Sequence, residues 1–362
     1  MEACDRWIEG VDCEVAKLRQ REKAREALLK KFLEDNGLAE GKISPLADDC
    51  SFRRYFRVCG VKGNFIVMDA PPEKEETKPF IYISKLLNSF GYSAPRVLGK
   101  DILNGFLLLE DFGDETYTKA LTDLDNEYQL YSQAVDVLID LYDRRTNDLL
   151  DFVPPYDDSK LVEEALLFVD WYLIPRLKIS LTSSEIKLYK EACMNLLEVN
   201  DKVPRILVLR DYHVDNLMVL PERKGIGGCG LLDFQDAVIG PAAYDLVSLL
   251  QDSRRDVSCD IVVSMLKRYF EGIGKQRDMD VFMSSYYSLG AQRALKVFGI
   301  FTRQDILYGN SRYIKHIPRL WRHLRNNLMM AKLDPLRAWI DHYVPENLIR
   351  GELVLDDCEL CS

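Results

Sequence analysis

The chain has 362 residues, 47% of them apolar, and a net charge of −10, enough for one large or two ordinary domains with a sizeable core. No apolar run approaches the roughly 20 residues of a membrane span, and the first residues carry no basic-then-apolar leader pattern, so a cytoplasmic protein with no membrane partner is expected. The acidic balance argues against a nucleic-acid partner, which favours a basic surface, and nine cysteines spread along the chain read as reduced thiols rather than a disulfide framework.

Residues 14–35 are charge-rich, with Leu28, Leu29, Phe32 and Leu33 at helical spacing and Asn36-Gly37 as a stop, which predicts an amphipathic leading helix. Ser51 to Val58 then alternates like a strand, with Phe52, Arg54, Phe56 and Val58 on one face. Gly60 to Asn64 is a turn, and Phe65 to Asp69 is a second strand halted by Pro71-Pro72. A helix is expected over 79–90, ending at Gly91. Two further strands follow, over Pro95–Leu98 and Gly105–Glu110, and Asp111 to Asp114 serves as a connector. Helices then dominate, over 125–145, 159–175, 183–199, 242–253, 258–273, 278–297 and 312–331, interrupted at 204–236 by short apolar strands. The expected organisation is a leading helical segment (1–43), a small strand-rich lobe (44–110), a larger helical lobe (111–345) and a tail (346–362). That is an α+β plan, and a junction between such lobes is a usual place for a ligand cleft. In the tail, Cys358 and Cys361 form a single C-x-x-C pair, too few ligands for a structural zinc.

The segment 206–236 carries the chemistry. Ile206 to Leu209 is a short buried strand that runs into Arg210-Asp211 and a polar loop to Asn216. Leu217 to Leu220 and Gly230 to Leu232 are strands separated by a turn-rich stretch. If those two strands pair as a hairpin, their far ends bring Asn216 beside Asp233, and Asp211 enters the same end. One amide oxygen and two carboxylates then converge, a donor set that suits Mg²⁺ completed by substrate phosphates. The spacing Arg210-Asp211-x-x-x-x-Asn216 followed by Asp233-Phe234 is that of the kinase catalytic loop and its metal-binding Asp-Phe.

The stretch Leu209 to Leu217, with Leu232-Asp233-Phe234 and Gly240 to Leu246, resembles the signature of aminoglycoside phosphotransferases and choline kinases. Further stretches (Ser51 to Arg57, Ile66 to Pro72, Gly105 to Leu109, Trp171-Tyr172, Leu232 to Ala237 and Gln292 to Phe301) resemble the bacterial kinases that phosphorylate N-acetylmuramate and N-acetylglucosamine at C1 during peptidoglycan recycling. The resemblance implies a bilobal protein-kinase-like fold and an ATP- and Mg²⁺-dependent kinase of a small-molecule sugar, expected as a monomer. It implies that Asp211 is the catalytic base, that Asn216 and Asp233 hold the metal, and that Leu109 and Glu110 offer backbone groups to adenine. Asp245 would brace the catalytic loop.

The pattern also departs from kinases. Met68 stands where a phosphate-binding lysine is usual and Phe80 where its glutamate partner would be. Losing both partners is more coherent than losing one. Arg54 is the candidate cation for the phosphates, and Ser51 sits in a glycine-free turn that could approach them; a strand-edge arginine and a plain surface turn are the bland readings. His213, Trp171 and Arg293 are candidates for substrate contact. The bland alternatives are a loop histidine bonded to backbone, a core aromatic and, for Gln292, Arg293 and Lys296 together, a solvated helix face. A kinase of an aminoglycoside or choline-like alcohol, or a non-catalytic nucleotide-binding module, are the competing functions.

Overall fold

The computed structural model describes residues 20–344 apart from 21, 47–52, 62, 123–125, 145–151, 275–277 and 333. Ser51, Phe52, the phosphate-side turn and the C-terminal cysteine pair lie outside the described residues. The chain divides into two compact units, Met1–Phe90 with Ala94–Gly113 and Gly91–Ser93 with Asp114–Ser362.

Unit 1 is a five-stranded antiparallel sheet ordered β1-β2-β3-β5-β4. Its strands are β1 (Lys42–Pro45), β2 (Arg54–Gly60), β3 (Gly63–Asp69), β4 (Val97–Asp101) and β5 (Phe106–Glu110). A helix over 22–35, α1, ends at Gly37, whose φ of 73° suits a residue without Cβ. The turn then folds back so that the Leu38 N–H reaches the Leu33 carbonyl at 2.8 Å. Phe32, Leu33 and Leu38 pack on Val58, Val67, Phe106 and Leu108. These last residues share one face because Phe56 lies opposite Val67, Val58 opposite Phe65 and Val67 opposite Leu108. On the other face Met68 lies opposite Tyr55 and Leu107. Helix α2 (Lys78–Ser89) opens with a proline in its first turn, where the missing N–H costs nothing. Met68 and Phe80 are both buried.

Strand β1 is absent from the sequence reading. Lys42-Ile43-Ser44-Pro45 is short and half exposed, and it joins the sheet through backbone pairing with β2, Lys42 opposite Cys59 and Pro45 opposite Phe56.

Unit 2 is built round the 30-residue helix α9 (Met279–Tyr308). It runs well past the expected end at 297 and stops where Gly309 takes a φ of 64°. Its buried residues from Phe282 to Gln304 surround the axis, so no amphipathic stripe marks its length. A Cβ on Gly299 would come within 2.3 Å of the Leu167 carbonyl, so this glycine lets the helix lie against the preceding segment. The expected single helix over 159–175 is instead α5 (Asp158–Ala165) followed by a π-helical stretch, Phe168–Arg176, with Pro175 inside it. Proline has no N–H to give to an α-helical ladder, and the Leu177 N–H skips to the Tyr172 carbonyl. A further helix over Asp334–Tyr343, α11 in chain order, extends beyond the expected helices; the Trp339 indole N–H reaches the Glu185 carbonyl at 3.1 Å. No described helix is long and apolar enough to cross a membrane.

Candidate active site

The site grows from two small antiparallel pairs in unit 2. Strand β6 (Arg205–Val208) pairs with β9 (Val238–Pro241), and β7 (Leu217–Val219) pairs with β8 (Cys229–Leu231). The hairpin of β7 and β8 sets Leu217 opposite Leu231, and the Leu232 N–H closes on the Asn216 carbonyl at 2.9 Å. Asn216 and Asp233 therefore stand side by side, with the Asn216 amide nitrogen 3.4 Å from the Asp233 carboxylate. That amide also donates to the Asp211 carbonyl at 2.9 Å. The hairpin argument therefore holds for Asn216 and Asp233, and the Asp211 backbone joins them through the Asn216 amide.

The loop is held from several sides. Helix α7 (Tyr244–Leu250) begins just after β9, so Asp245 in its first turn receives the N–H groups of Leu209 at 2.6 Å and Arg210 at 2.9 Å. Burial pushes the Asp245 carboxyl up to about 7 even against those two hydrogen bonds. Arg210 and Asp233 both take positive φ, 70° and 56°. Such backbone is costly for a side-chain-bearing residue and persists only when its surroundings over-determine it. For Arg210 the surroundings are visible. Its guanidinium binds the buried Glu164, which also receives Lys296 at 3.1 Å and the Tyr156 hydroxyl. Burial alone would raise the Glu164 carboxyl, but the charges of Lys296 and Arg210 outweigh it and hold the group below its ordinary range.

Asp211 is half buried, and its carboxylate makes no hydrogen bond to another described residue. His213 is buried, with Nε2 lying 3.1 Å from Arg254 Nη1. Burial, then the charges of Arg254 and Arg293, hold its imidazole well below the usual histidine range. A neutral ring that accepts from Arg254 carries its proton on Nδ1. Arg293, Lys296 and Gln292 are not a solvated face. All three are buried, with Arg293 donating to Ser248 Oγ at 2.7 Å and Gln292 to the Leu161 carbonyl at 2.9 Å. Trp171 is half buried in the π-helical stretch. Its neighbour Tyr172 is a core residue whose hydroxyl takes the Trp321 indole N–H at 3.0 Å.

In unit 1, register puts Arg54 opposite Asp69 and Met68 opposite Tyr55, so Arg54 and Met68 occupy opposite faces of the sheet. Arg54 lies on the face that α1 covers. Its guanidinium meets Asp69 at 2.5 Å, and Arg25 of α1 meets the same carboxylate at 2.5 Å. The cation on the Met68 face of β2 is Arg57, bound to Asp111 at 2.6 Å and to the Gly113 carbonyl at 2.9 Å. Leu109 sits inside the sheet between Ile66 and Val97. The Glu110 N–H donates to the Arg96 carbonyl at 3.0 Å, and its carboxylate takes the Arg96 side chain.

Among the described residues no three His, Cys, Asp or Glu side chains form a metal site by themselves. The Asn216–Asp233 pair fits a hard cation that keeps few protein ligands and finishes its shell on phosphate and water. Sequence reasoning missed Glu164 and Arg254. Both sit in ordinary-looking charged stretches, and only the tertiary structure brings them to the loop.

Residues 42–281 match the phosphotransferase enzyme family, and the chain belongs to that family. It is 37% identical over 306 residues to the N-acetylmuramate/N-acetylglucosamine kinase of Pseudomonas aeruginosa, covering 82% of this chain and 88% of that one. It is 32% identical over 355 residues to the protein of the same name from Caulobacter vibrioides, covering 89% and 97%. Among solved structures, a choline/ethanolamine kinase family protein from Mesorhizobium loti superposes with a TM-score of 0.58 at 12% identity, covering 88% of this chain and 98% of that one. The last likeness establishes the shared bilobal kinase-like fold, and the expectation of a small-molecule kinase stands.

Proposed function

We propose that the protein transfers the γ-phosphoryl group of ATP to the anomeric hydroxyl of N-acetylmuramate or N-acetylglucosamine. The observation that carries the chemistry is the meeting of Asp211, Asn216 and Asp233 at the end of one hairpin. The sugar class rests on relatives of that name that align over most of this chain. Those two sugars share free hydroxyls at C1, C4 and C6 and differ at O3, where N-acetylmuramate carries a lactyl ether. A kinase of both must therefore act away from O3. The anomeric hydroxyl is the most acidic of the shared groups, which suits a carboxylate base.

Asp211 would hold the hydroxyl in line with the phosphorus and take its proton as the O–P bond forms and the bond to the departing ADP breaks. Its carboxylate is open to that hydroxyl because no described residue claims it. Asn216 Oδ1 and Asp233 would hold Mg²⁺. The ion, when bound, supplies charge neutralisation to the phosphate oxygens. Asp245, with its two backbone N–H bonds, and Glu164, through Arg210, would keep Asp211 fixed, since phosphoryl transfer depends chiefly on positioning.

The test is an ATP-consumption assay with Mg²⁺ across free amino sugars, choline-like alcohols and aminoglycosides. Turnover of N-acetylmuramate and N-acetylglucosamine in clear preference to the others is expected. Turnover of an amino alcohol or an aminoglycoside with none of any free amino sugar would overturn the reading.

A further inference from the structure

N-acetylmuramate is an anion, and a site that accepts it beside Asp211 and Asp233 needs a cation to offset those carboxylates. Most arginines near the loop are already committed. Arg210 is bound to Glu164, Arg255 to Glu127, and Arg319 and Arg322 to Asp256. Arg293 is buried and bonded to Ser248. Arg254 differs. It lies on the segment after α7 with 27% of its side chain exposed, and its nearest carboxylate, Asp215, is 3.6 Å away. One edge of its guanidinium rests on His213 Nε2 at 3.1 Å. An imidazole nitrogen that accepts from a guanidinium carries no negative charge, so the contact orients Arg254 without neutralising it. Its carbon Cζ also stands 5.9 Å from the Phe301 ring and 5.8 Å from the Tyr313 ring. These two rings stack on each other at 5.0 Å, so the guanidinium sits beside an aromatic pair. His213 is in turn 3.4 Å from the Asn216 amide, so Arg254 is two contacts from the metal-binding pair.

A second observation points to a ligand at this cluster. Two polar atoms of buried side chains around Arg254, His213 Nδ1 and Asp252 Oδ2, have no hydrogen-bond partner among the described residues. Asp252 is adjacent along the chain, its other oxygen taking the Arg254 backbone N–H at 2.8 Å, and its free oxygen accepts, which suits a sugar hydroxyl and not a carboxylate. Buried polar atoms without partners are uncommon and call for an explanation. With Nε2 accepting from Arg254, Nδ1 of His213 carries the ring N–H and offers a donor suited to a sugar hydroxyl or amide oxygen.

We infer that Arg254 receives the carboxylate of an acidic amino sugar, the lactyl group of N-acetylmuramate, and so sets the preference between the two sugars. This inference rests on the sugar-kinase reading above. A partly exposed guanidinium is the group best shaped for a carboxylate.

The experiment compares wild type, Arg254→Gln and Arg254→Lys on N-acetylmuramate, its methyl ester and N-acetylglucosamine, with folding checked by circular dichroism. Wild type should prefer the acid to the ester. In Arg254→Gln the ratio of kcat/KM for N-acetylmuramate over N-acetylglucosamine should fall at least about tenfold, chiefly through KM, as loss of a charge-assisted pair requires. The same variant should cease to distinguish acid from ester, and Arg254→Lys should fall between. If Arg254→Gln lowers both sugars equally, Arg254 only positions His213 and the inference fails. It fails too if wild type treats acid and ester alike, a result that needs no variant to fold. If wild type phosphorylates neither sugar, the sugar-kinase reading itself fails, and that outcome is distinct from the other two.

Discussion

Each unit of the molecule buries one carboxylate between two cations, and the two triads hold different things. In unit 1, Asp69 is fully buried between Arg25 and Arg54, whose side chains are 15% and 45% exposed. This triad ties helix α1 to the first residue of β2. In unit 2, Glu164 is buried between Arg210 and Lys296, 19% and 10% exposed. That triad ties a positive-φ arginine, and with it the neighbouring Asp211, to helices α5 and α9. A buried ion pair is weak support for stability in general, because desolvation offsets attraction. What it does well is fix a geometry. The difference lies in the backbone each carboxylate holds, a helix-to-sheet contact in one case and the loop proposed for catalysis in the other.

The sharpest break in that comparison is at the residue the second triad holds. Asp211→Asn keeps the shape of the loop and removes the base, so kcat should fall by about 10² to 10⁴ while calorimetry records nucleotide binding close to wild type. A variant with wild-type kcat would remove Asp211 from the mechanism. Next in size is the pair Glu164→Gln and Asp69→Asn. Each leaves two cations facing a neutral amide, and breaking a buried pair costs about 3–5 kcal/mol, less for Asp69 because Arg54 reaches solvent. Both should lower Tm. Only Glu164→Gln should also lower kcat at a temperature where the variant is folded, and Asp69→Asn should leave kcat within about twofold. Equal losses of kcat in the two variants would erase the distinction drawn here.

The smallest effect is one of pH. All four histidines fall in unit 2. Burial holds His316 and His323 down to about 4, below the roughly 6.5 of an unfolded chain. Depressed folded values mean that the unfolded chain binds protons first. Their contribution is therefore complete above about pH 6.5 and is lost as pH falls through 4, by up to about 1.4 kcal/mol per pH unit for each group. Asp245, raised to about 7, works the other way, since the folded chain binds its proton first; the histidines outnumber it, so hydrogen exchange at pH 7 and pH 5.5 should register a net loss of protection in unit 2 with little change in unit 1. Equal loss in both units would contradict it.

The trio proposed for catalysis was legible because its geometry is local. Strand alternation, a turn-rich gap and one hairpin suffice to bring Asn216 beside Asp233. Asp245 was named only through the family resemblance, and its bonds to the Leu209 and Arg210 N–H groups give that expectation a physical form. Arg293 and Lys296 were harder to read. Their spacing on one helix face suits solvent as well as burial, and their partners Ser248 and Glu164 belong to other helices. Arg54 was named as a cation for the phosphates, but the structure leaves it exposed and pairs it with Asp69, a partner that becomes visible only with the strand register. Helix α9 lost its signal to burial on every side, and β1 is too short and too polar to carry one. The sequence pattern thus reports neighbours along the chain and hairpins well, and says little about charges paired across the core.

The most direct test of the account is the position of the transferred phosphate. Purified protein incubated with ATP, Mg²⁺ and N-acetylmuramate should give a product whose phosphorus is coupled to the anomeric proton in ³¹P–¹H NMR, with the reducing end lost. Phosphate on the C6 hydroxyl with the reducing end intact, or no transfer to a free amino sugar at all, would contradict it.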